Sequence, residues 1–458
     1  MRRTLCLNVV GLTPRLLGPH TPHLSALAAR GGLRPLRTIE PAVTCSVQST
    51  FTTGSLPRAH GCVANGWYYR NTAEVALWRQ SNALVSGEKI WEAAKRRDPA
   101  FTCAKLFWWF NMYASVDFAV TPRPQYPADG RKLPDIHTHP AELRGQLQGA
   151  LGTFPLFRFW GPAADITCSE WIARAAEIVW DEKAPTLELV YLPHLDYNLQ
   201  RLGPNSPELA RDLTAIDALC GALIEKAERA GAAVIVLSEY GITAVTGAVP
   251  INQVLRRAGL LAVREEEAGE LLDAGASEAF AVVDHQLAHV YVRRRARIAE
   301  VAALLRAQPG VDAVWDDEGK RAHGLDHPRS GELVAVSARD RWFSYYYWLD
   351  AARAPDFTRT VDIHRKPGYD PVELFLDPKL WSPKLRIAAR LLARKLGQRA
   401  LLDVIPLDPS LVRGSHGRLT DAPDEGPLVI SSAPDRLPPG PVDATAIKDL
   451  ILAHVFSA

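Results

Sequence analysis

Short apolar runs rich in β-branched residues punctuate the chain, each ending in a polar or glycine-containing turn before a helical pattern begins. They lie at 5–10, at Leu187–Leu192 within PTLELVYLPHLD, at 232–237 within AAVIVLSEYG, and late in the chain at 427–430. An amphipathic stretch at 209–230 precedes the third. Apolar strands alternating with helices predict a mostly parallel sheet with helices on both faces. In such sheets ligands bind beyond the carboxyl ends of the strands. The residues to inspect are therefore Asn8, Thr44, His194, Asp196, Ser238, Glu239 and Tyr240.

Two regions break the rhythm. Residues 85–170 are rich in Trp, Phe and Pro, as in FWWFNMY and TPRPQYPADGRKLPD. Residues 262–360 predict a small α+β unit, with strands near 280–283 and 289–292, a helix over 297–306 and a turn at Pro309-Gly310. Both are expected as insertions capping the ligand-binding end of one domain spanning 1–458. A short last helix is predicted over 444–455.

Composition narrows the class. The chain has 458 residues, a formal charge of +2, 47% hydrophobic and 23% charged residues. That excludes wholesale disorder and argues against a protein that coats nucleic acid. Its six cysteines are scattered without a CxxC pair, so reduced, buried thiols are expected rather than a disulfide or zinc framework. MRRTLCLNVVGLTP reads as a first strand, not a signal segment, and no apolar run approaches the ~18 residues of a membrane span. A cytoplasmic location is expected; the oligomeric state stays open.

Thr44 lies in PAVTCSVQSTFTTGSLPRAHGCVANGW. A hydroxyl in a strand-to-helix turn is either a nucleophile facing a phosphoryl group held by backbone N–H groups or an ordinary helix cap. Asp196 follows a strand, with Gln200 one helical turn on, and is a metal ligand or a cap. Glu239 and Tyr240 follow another strand directly, and His416 sits in a glycine-flanked loop, SHG.

Taken in order, these segments resemble the type I phosphodiesterase/nucleotide pyrophosphatase family of the alkaline phosphatase superfamily. The strongest match is 41–67, where Thr53, Gly54, Pro57, His60, Gly61 and Asn65 fall on the family's T-G-x-x-P-x-x-H-G-x-x-x-N run after its threonine nucleophile. YLPHLDYNLQRLGP, LSEYGI and SHGRLTDAPDEGPLVI resemble its later motifs. The resemblance implies an alkaline-phosphatase-like α/β core and a hydrolase of phosphodiester, pyrophosphate or phosphomonoester bonds, with Thr44 forming a covalent phosphoryl-enzyme on a small phosphorylated substrate. It also implies one or two divalent ions, zinc first, with Mn²⁺ or Mg²⁺ as alternatives. One ion would lie at Asp196, Gln200 and His416, the other at Asn8, Thr44, Glu239 and Tyr240.

Four of these positions depart from the family, which has Asp at 8, His at 200 and Asp-His at 239–240. Asn8 and Gln200 offer neutral oxygens, which suit hard cations better than zinc. His194, His285, His289 and above all His364, beside Arg365 and Lys366, are candidate compensating ligands or phosphate contacts. Cys45 is an alternative nucleophile or an inert buried thiol. The departures keep a second reading in view, a non-catalytic accessory protein that binds a phosphorylated small molecule.

Two further features remain. KLWSPKLRIAARLLARKLGQR, 379–399, is a basic amphipathic helix with Leu385, Ala389, Leu392 and Leu396 on one face. It reads as a membrane or nucleic-acid contact, or as an outer helix of the α/β domain. The aromatic clusters FWWFNMY and WFSYYYW line a pocket or fill the core.

Overall fold

A computed structural model describes residues 1–398 and 400–456. Nine strands form the main sheet: β1 (Thr4–Val9), β2 (Gly32–Arg37), β3 (Cys103–Leu106), β4 (Phe118–Pro122), β5 (Ile136–His139), β6 (Leu187–Leu192), β7 (Ala233–Leu237), β8 (Leu428–Ser431) and β9 (Val442–Asp443). Their order is β9-β2-β8-β7-β1-β6-β3-β4-β5. Only β8 and β5 run against the rest. β1, β6 and β7 occupy the middle and are buried along their whole lengths, because helices cover both faces and every position is a core position. The expected mostly parallel α/β class is what the chain adopts.

Two helices rise from the carboxyl ends of this sheet and carry candidate residues: α1 (Thr44–Thr53) and α2 (His194–Leu202). All of α1 is buried although it is rich in hydroxyls. Several of its hydroxyls satisfy themselves on the preceding turn: Ser49 donates to the Cys45 carbonyl at 2.7 Å, Thr52 to Gln48 at 2.9 Å and Thr53 to Ser49 at 2.7 Å. Gly54, at φ +69°, ends the helix in the left-handed region that glycine enters without strain.

Residues 85–170, expected as an insertion, supply β3, β4 and β5 to the main sheet itself. These strands have only four or five residues, and the aromatic and proline-rich connections around them masked the signal. The stretch also contributes the loop 107–113, which lies beside α1. Within 262–360, Ala279–Asp284, Leu287–Val292, Leu333–Ser337 and Val311–Trp315 form a separate antiparallel sheet with its own apolar core. Ile298–Arg306 and Asp317–Ala322 are its helices.

The basic helix spans Pro383–Lys395. It does not sit as an outer helix with its leucines inward. Arg386, Ile387 and Arg390 face the domain, while Leu385 and Leu392 stand in solvent. No helix among the described residues is long and apolar enough to cross a membrane. All six cysteines are free and buried.

Candidate active site

The three central strands converge the candidates. Asn8 pairs in register with Tyr191 of β6 and Leu237 of β7. β7 hands over to Glu239 and Tyr240, β6 to Asp196 and Gln200 on α2, and Thr44 opens α1. Asn8, Thr44, Asp196, Gln200, Glu239, Tyr240 and His416 are all buried and come together.

Hydrogen bonds sort them into two linked groups. Around Glu239, the Asn8 amide donates at 2.5 Å and the Gln48 amide at 2.6 Å, both to Oε1. The Gln48 orientation is fixed independently, because the Trp109 backbone N–H donates to its Oε1 at 2.7 Å. Around Asp196, Gln200 donates to Oδ2 at 2.7 Å and the Tyr240 hydroxyl to Oδ1 at 3.2 Å. The Tyr240 hydroxyl also lies 3.3 Å from Thr44 Oγ1, which joins the groups. Tyr369 reaches the Gln200 Oε1 at 3.1 Å.

His416 donates from Nδ1 to the Ala42 carbonyl at 2.7 Å, so its Nε2 carries the lone pair. That Nε2 is buried without a hydrogen-bond partner among the described residues and lies 3.9 Å from Asp196. His285, from the cap sheet's hairpin turn, completes the wall at φ +60°. A bulky residue in the left-handed region is a strained position of the kind that clusters at functional sites.

Burial sets the charge state. It pushes the Asp196 carboxyl up to about 7 and Glu239 up to about 8, against hydrogen bonds from Tyr240 and Gln200 in the first case and chiefly Gln48 and Asn8 in the second. Burial drives His416 down to about 3 and holds the Tyr240 phenol well above its ordinary range. Burial thus works against charge on every one of these groups, and Asp196 is the one poised to change its protonation near pH 7.

These donors fit a dinuclear centre poorly as they are arranged: Asn8 and Gln48 aim amide hydrogens at Glu239 and Gln200 aims one at Asp196, while Asn8 Oδ1, Glu239 Oε2 and His416 Nε2 are the cluster's lone pairs left buried without partners among the described residues. Among the described residues no three His, Cys, Asp or Glu side chains gather as a metal-holding group. Tyr240 fills the space between Thr44 and Asp196.

Of the candidate compensating histidines, His285 lines the site itself, with its Nδ1 buried and unpartnered among the described residues, whereas the others are elsewhere or otherwise engaged. His194 bonds Asp212 at 3.1 Å, and His289 bonds the Val63 carbonyl at 3.0 Å. Lys366 is sealed between Asp370 and Glu373, each at 2.7 Å, so it meets no phosphate. The Cys45 thiol is raised well above its ordinary range by burial, an inert thiol.

Above Thr44 lies a chamber of about 80 Å³ walled by Tyr191, Tyr197, Tyr240, His285 and Tyr369. A single water needs roughly 10–15 Å³ by this measure, so the chamber admits several. Trp78, Trp109, Phe159 and Ile363 form a throat shared with an outer vestibule of about 610 Å³. The vestibule is basic: Arg79, Arg123, Lys132, Arg264, His364 and Arg365 line it, against Glu74. His364 thus belongs to the entrance and does not reach the chamber.

Gln48 and Lys105 escaped sequence reasoning. Gln48 shares a helix face with Thr44 at i+4, a signal that was available. Lys105 donates to the carbonyls of Trp109 and Phe110 at 2.7 and 3.0 Å and so holds the throat loop; nothing in CAKLFWW marks it. Asn65, which falls on the last matched position of the 41–67 run, anchors the start of α1, accepting from the Cys45 N–H at 2.9 Å and donating to Asp284 from its backbone at 2.7 Å and its amide at 3.0 Å.

A central parallel sheet with a helix-borne threonine at its carboxyl end, facing a buried carboxylate, defines an alkaline-phosphatase-like α/β protein. The chain belongs to the type I phosphodiesterase/nucleotide pyrophosphatase family, whose profile matches residues 4–370. Solved structures agree on the fold. Phosphonoacetate hydrolase from Sinorhizobium meliloti, bound to phosphonoformate, is 17% identical over 99% of this chain and 96% of its own, with a TM-score of 0.64. Murine ectonucleotide pyrophosphatase/phosphodiesterase 5, in an inactive threonine-to-alanine form with AMP, is 15% identical over 99% and 95%, with a TM-score of 0.59. The human form is 15% identical over 99% and 94%, at 0.58. Among curated proteins, none matches the chain.

Proposed function

We propose that the chain hydrolyses a phosphoric ester or anhydride of a small molecule, with Thr44 as nucleophile and Asp196 as its base through Tyr240. The observation that carries this reading is the path Thr44 Oγ1 to Tyr240 Oη, 3.3 Å, and Tyr240 Oη to Asp196 Oδ1, 3.2 Å. It ends on a carboxylate held at about 7, suited to accept a proton near neutrality. Thr44 Oγ attacks phosphorus as the bond to the leaving oxygen breaks. The threonine proton passes to Tyr240 while the Tyr240 proton passes to Asp196, and the leaving oxygen takes a proton from solvent. Water then attacks phosphorus and breaks its bond to the threonine oxygen; Asp196 returns its proton through Tyr240 to Thr44 Oγ, the hydroxyl of the water stays on phosphorus, its other proton goes to solvent, and phosphate or its monoester leaves. Each step is carried by this chain's own residues and none is routed through a metal ion. The aromatic throat favours a substrate with an apolar or aromatic leaving group, and the basic vestibule draws in an anion.

The family and its phosphorus-oxyanion-binding relatives support this class. The test is turnover of 4-nitrophenyl phosphate and bis(4-nitrophenyl) phosphate by wild type and Thr44→Ala. Loss of turnover with the fold retained by circular dichroism is expected; full activity in the variant overturns the reading.

A second reading rests on one observation. One oxygen of Glu239, Oε1, is already held by two amide donors, as suits a site that binds without turning over. It predicts tight binding of a phosphorylated ligand to wild type, unchanged in Thr44→Ala, with no hydrolysis in either.

A further inference from the structure

An amphipathic helix on a globular domain ordinarily turns its apolar stripe inward. The helix Pro383–Lys395 does the reverse. Its contacts with the domain are polar and sparse: Arg386 and Arg390 both bond Asp403, and Ile387 packs on the small cluster around Trp342 and Val404. Facing water are Trp381 at 94% exposure, Leu385 at 60%, Leu391 at 50%, Leu392 at 57% and Leu396 at 71%. Five of the thirteen exposed large apolar side chains among the described residues are in this one short segment. A contiguous apolar face of this kind marks an interaction site rather than an ordinary surface.

Charge selects the partner. From Lys379 to Gln398 the segment contains no acidic residue. Lys379, Lys384 and Lys395 are exposed beside the leucines, and none has an ion-pair partner among the described residues. A second copy of the chain would bring the same unpaired cations against themselves. Leu385, Leu392 and Leu396 on one face, Lys384 and Lys395 beside them and a tryptophan at the edge match the chemistry of an anionic lipid surface: apolar side chains enter the acyl boundary, lysines meet headgroup phosphates, and the indole sits between. We infer that the segment 379–398 is a peripheral membrane-docking element that lies in the plane of an anionic bilayer. It is too short and too charged to span one. The inference is independent of whether Thr44 turns over a substrate.

The test is co-sedimentation of the full chain with vesicles of pure phosphatidylcholine and of phosphatidylcholine with about a third phosphatidylglycerol. Binding to the anionic vesicles is expected to exceed binding to the neutral ones by about a hundredfold, the product of three lysines near the surface. It is expected to fall with added salt and to vanish in Leu385→Glu/Leu392→Glu. Both positions are exposed, so this variant keeps the wild-type circular dichroism and any Thr44-dependent activity. Absence of sedimentation with anionic vesicles overturns the inference. So does binding that survives the double substitution, or a stable wild-type dimer in light scattering that this substitution dissociates.

Discussion

The Tyr240 ring lies flat on the His416 imidazole, 3.6 Å between centroids and 6° between planes. His416 in turn meets His285 at 3.6 Å, and His285 stacks on Tyr369 at 3.6 Å. Four rings from four segments thus form one wall of the chamber. The stack fixes where the Tyr240 hydroxyl points, so position 240 delivers a hydroxyl between Thr44 and Asp196 where the family pattern implies a metal-binding imidazole.

Tyr240→Phe separates these roles. The ring and its stack remain, and only the hydroxyl between Thr44 and Asp196 is lost. Turnover is expected to fall by about 10²–10⁴-fold, the usual contribution of a positioned acid or base, with KM little changed. Steady-state kinetics on an aryl phosphate check this; wild-type kcat would remove Tyr240 from the mechanism.

The buried carboxyls make both activity and stability depend on pH. Asp196 accepts a proton only when ionised, so kcat/KM is expected to rise through about pH 7. Stability runs the other way. Glu239 is raised to about 8 in the folded chain, whereas an unfolded glutamate titrates near 4.3. Between those values the folded state holds a proton that the unfolded state has released, so unfolding becomes easier as pH rises. The contribution is complete below about pH 4 and lost as pH passes through about 8. Urea midpoints should therefore drop from about pH 6 to about pH 9. Glu239→Gln should reduce that slope without abolishing it, since Asp196 and Asp284, both raised to about 7, titrate in the same window.

The sequence reading reached the central sheet because β1, β6 and β7 are apolar runs broken only by Thr4, Asn8 and Glu188, and their carboxyl ends named Asn8, Asp196, Glu239 and Tyr240. It missed β3 to β5 because a four-residue strand beside FWWFNMY has no period of its own. It placed the leucines of 379–399 together on one face, but a helical pattern cannot say which way that face points. The partner of Glu239, Gln48, was one turn from Thr44. The throat depends on Lys105 and on Trp78 at φ +60°, both set by tertiary contacts that no local pattern encodes.

Metal content distinguishes this site from the one the resemblance implies. Elemental analysis of untagged wild-type protein should find no stoichiometric divalent ion, and chelator should leave any activity intact. Asn8→Asp, Gln200→His, Glu239→Asp and Tyr240→His together exchange amide and phenol for carboxylate and imidazole, and this fourfold variant should gain bound zinc. Stoichiometric zinc in wild type that is lost in Asp196→Ala would contradict the donor-set argument.

The vestibule should act on affinity rather than on chemistry. Arg123 and Lys132 line the entrance, without ion-pair partners among the described residues, and do not line the chamber. Arg123→Ala/Lys132→Ala is expected to raise KM for an anionic aryl phosphate about tenfold at low salt, with kcat unchanged and the difference shrinking as salt screens it. An equal loss in kcat would move these cations into the reaction itself.

Asn65 tests whether the 41–67 motif builds the site or only the fold around it. Its Oδ1 takes the Cys45 N–H, so it positions the first turn of α1 and with it Thr44, while its two N–H groups hold Asp284, the residue before the strained His285. Asn65→Ala leaves a buried backbone donor without its partner and strips a buried carboxyl of one of its bonds, a loss of roughly 2–4 kcal/mol in urea unfolding. Truncating Asp284 as well removes the group that is left poorly satisfied. Asn65→Ala/Asp284→Ala should therefore cost less than the sum of the single substitutions, with a coupling of about 1 kcal/mol or more. Strict additivity would mean that the two residues act separately, and that the motif does not tie the helix bearing Thr44 to the hairpin bearing His285.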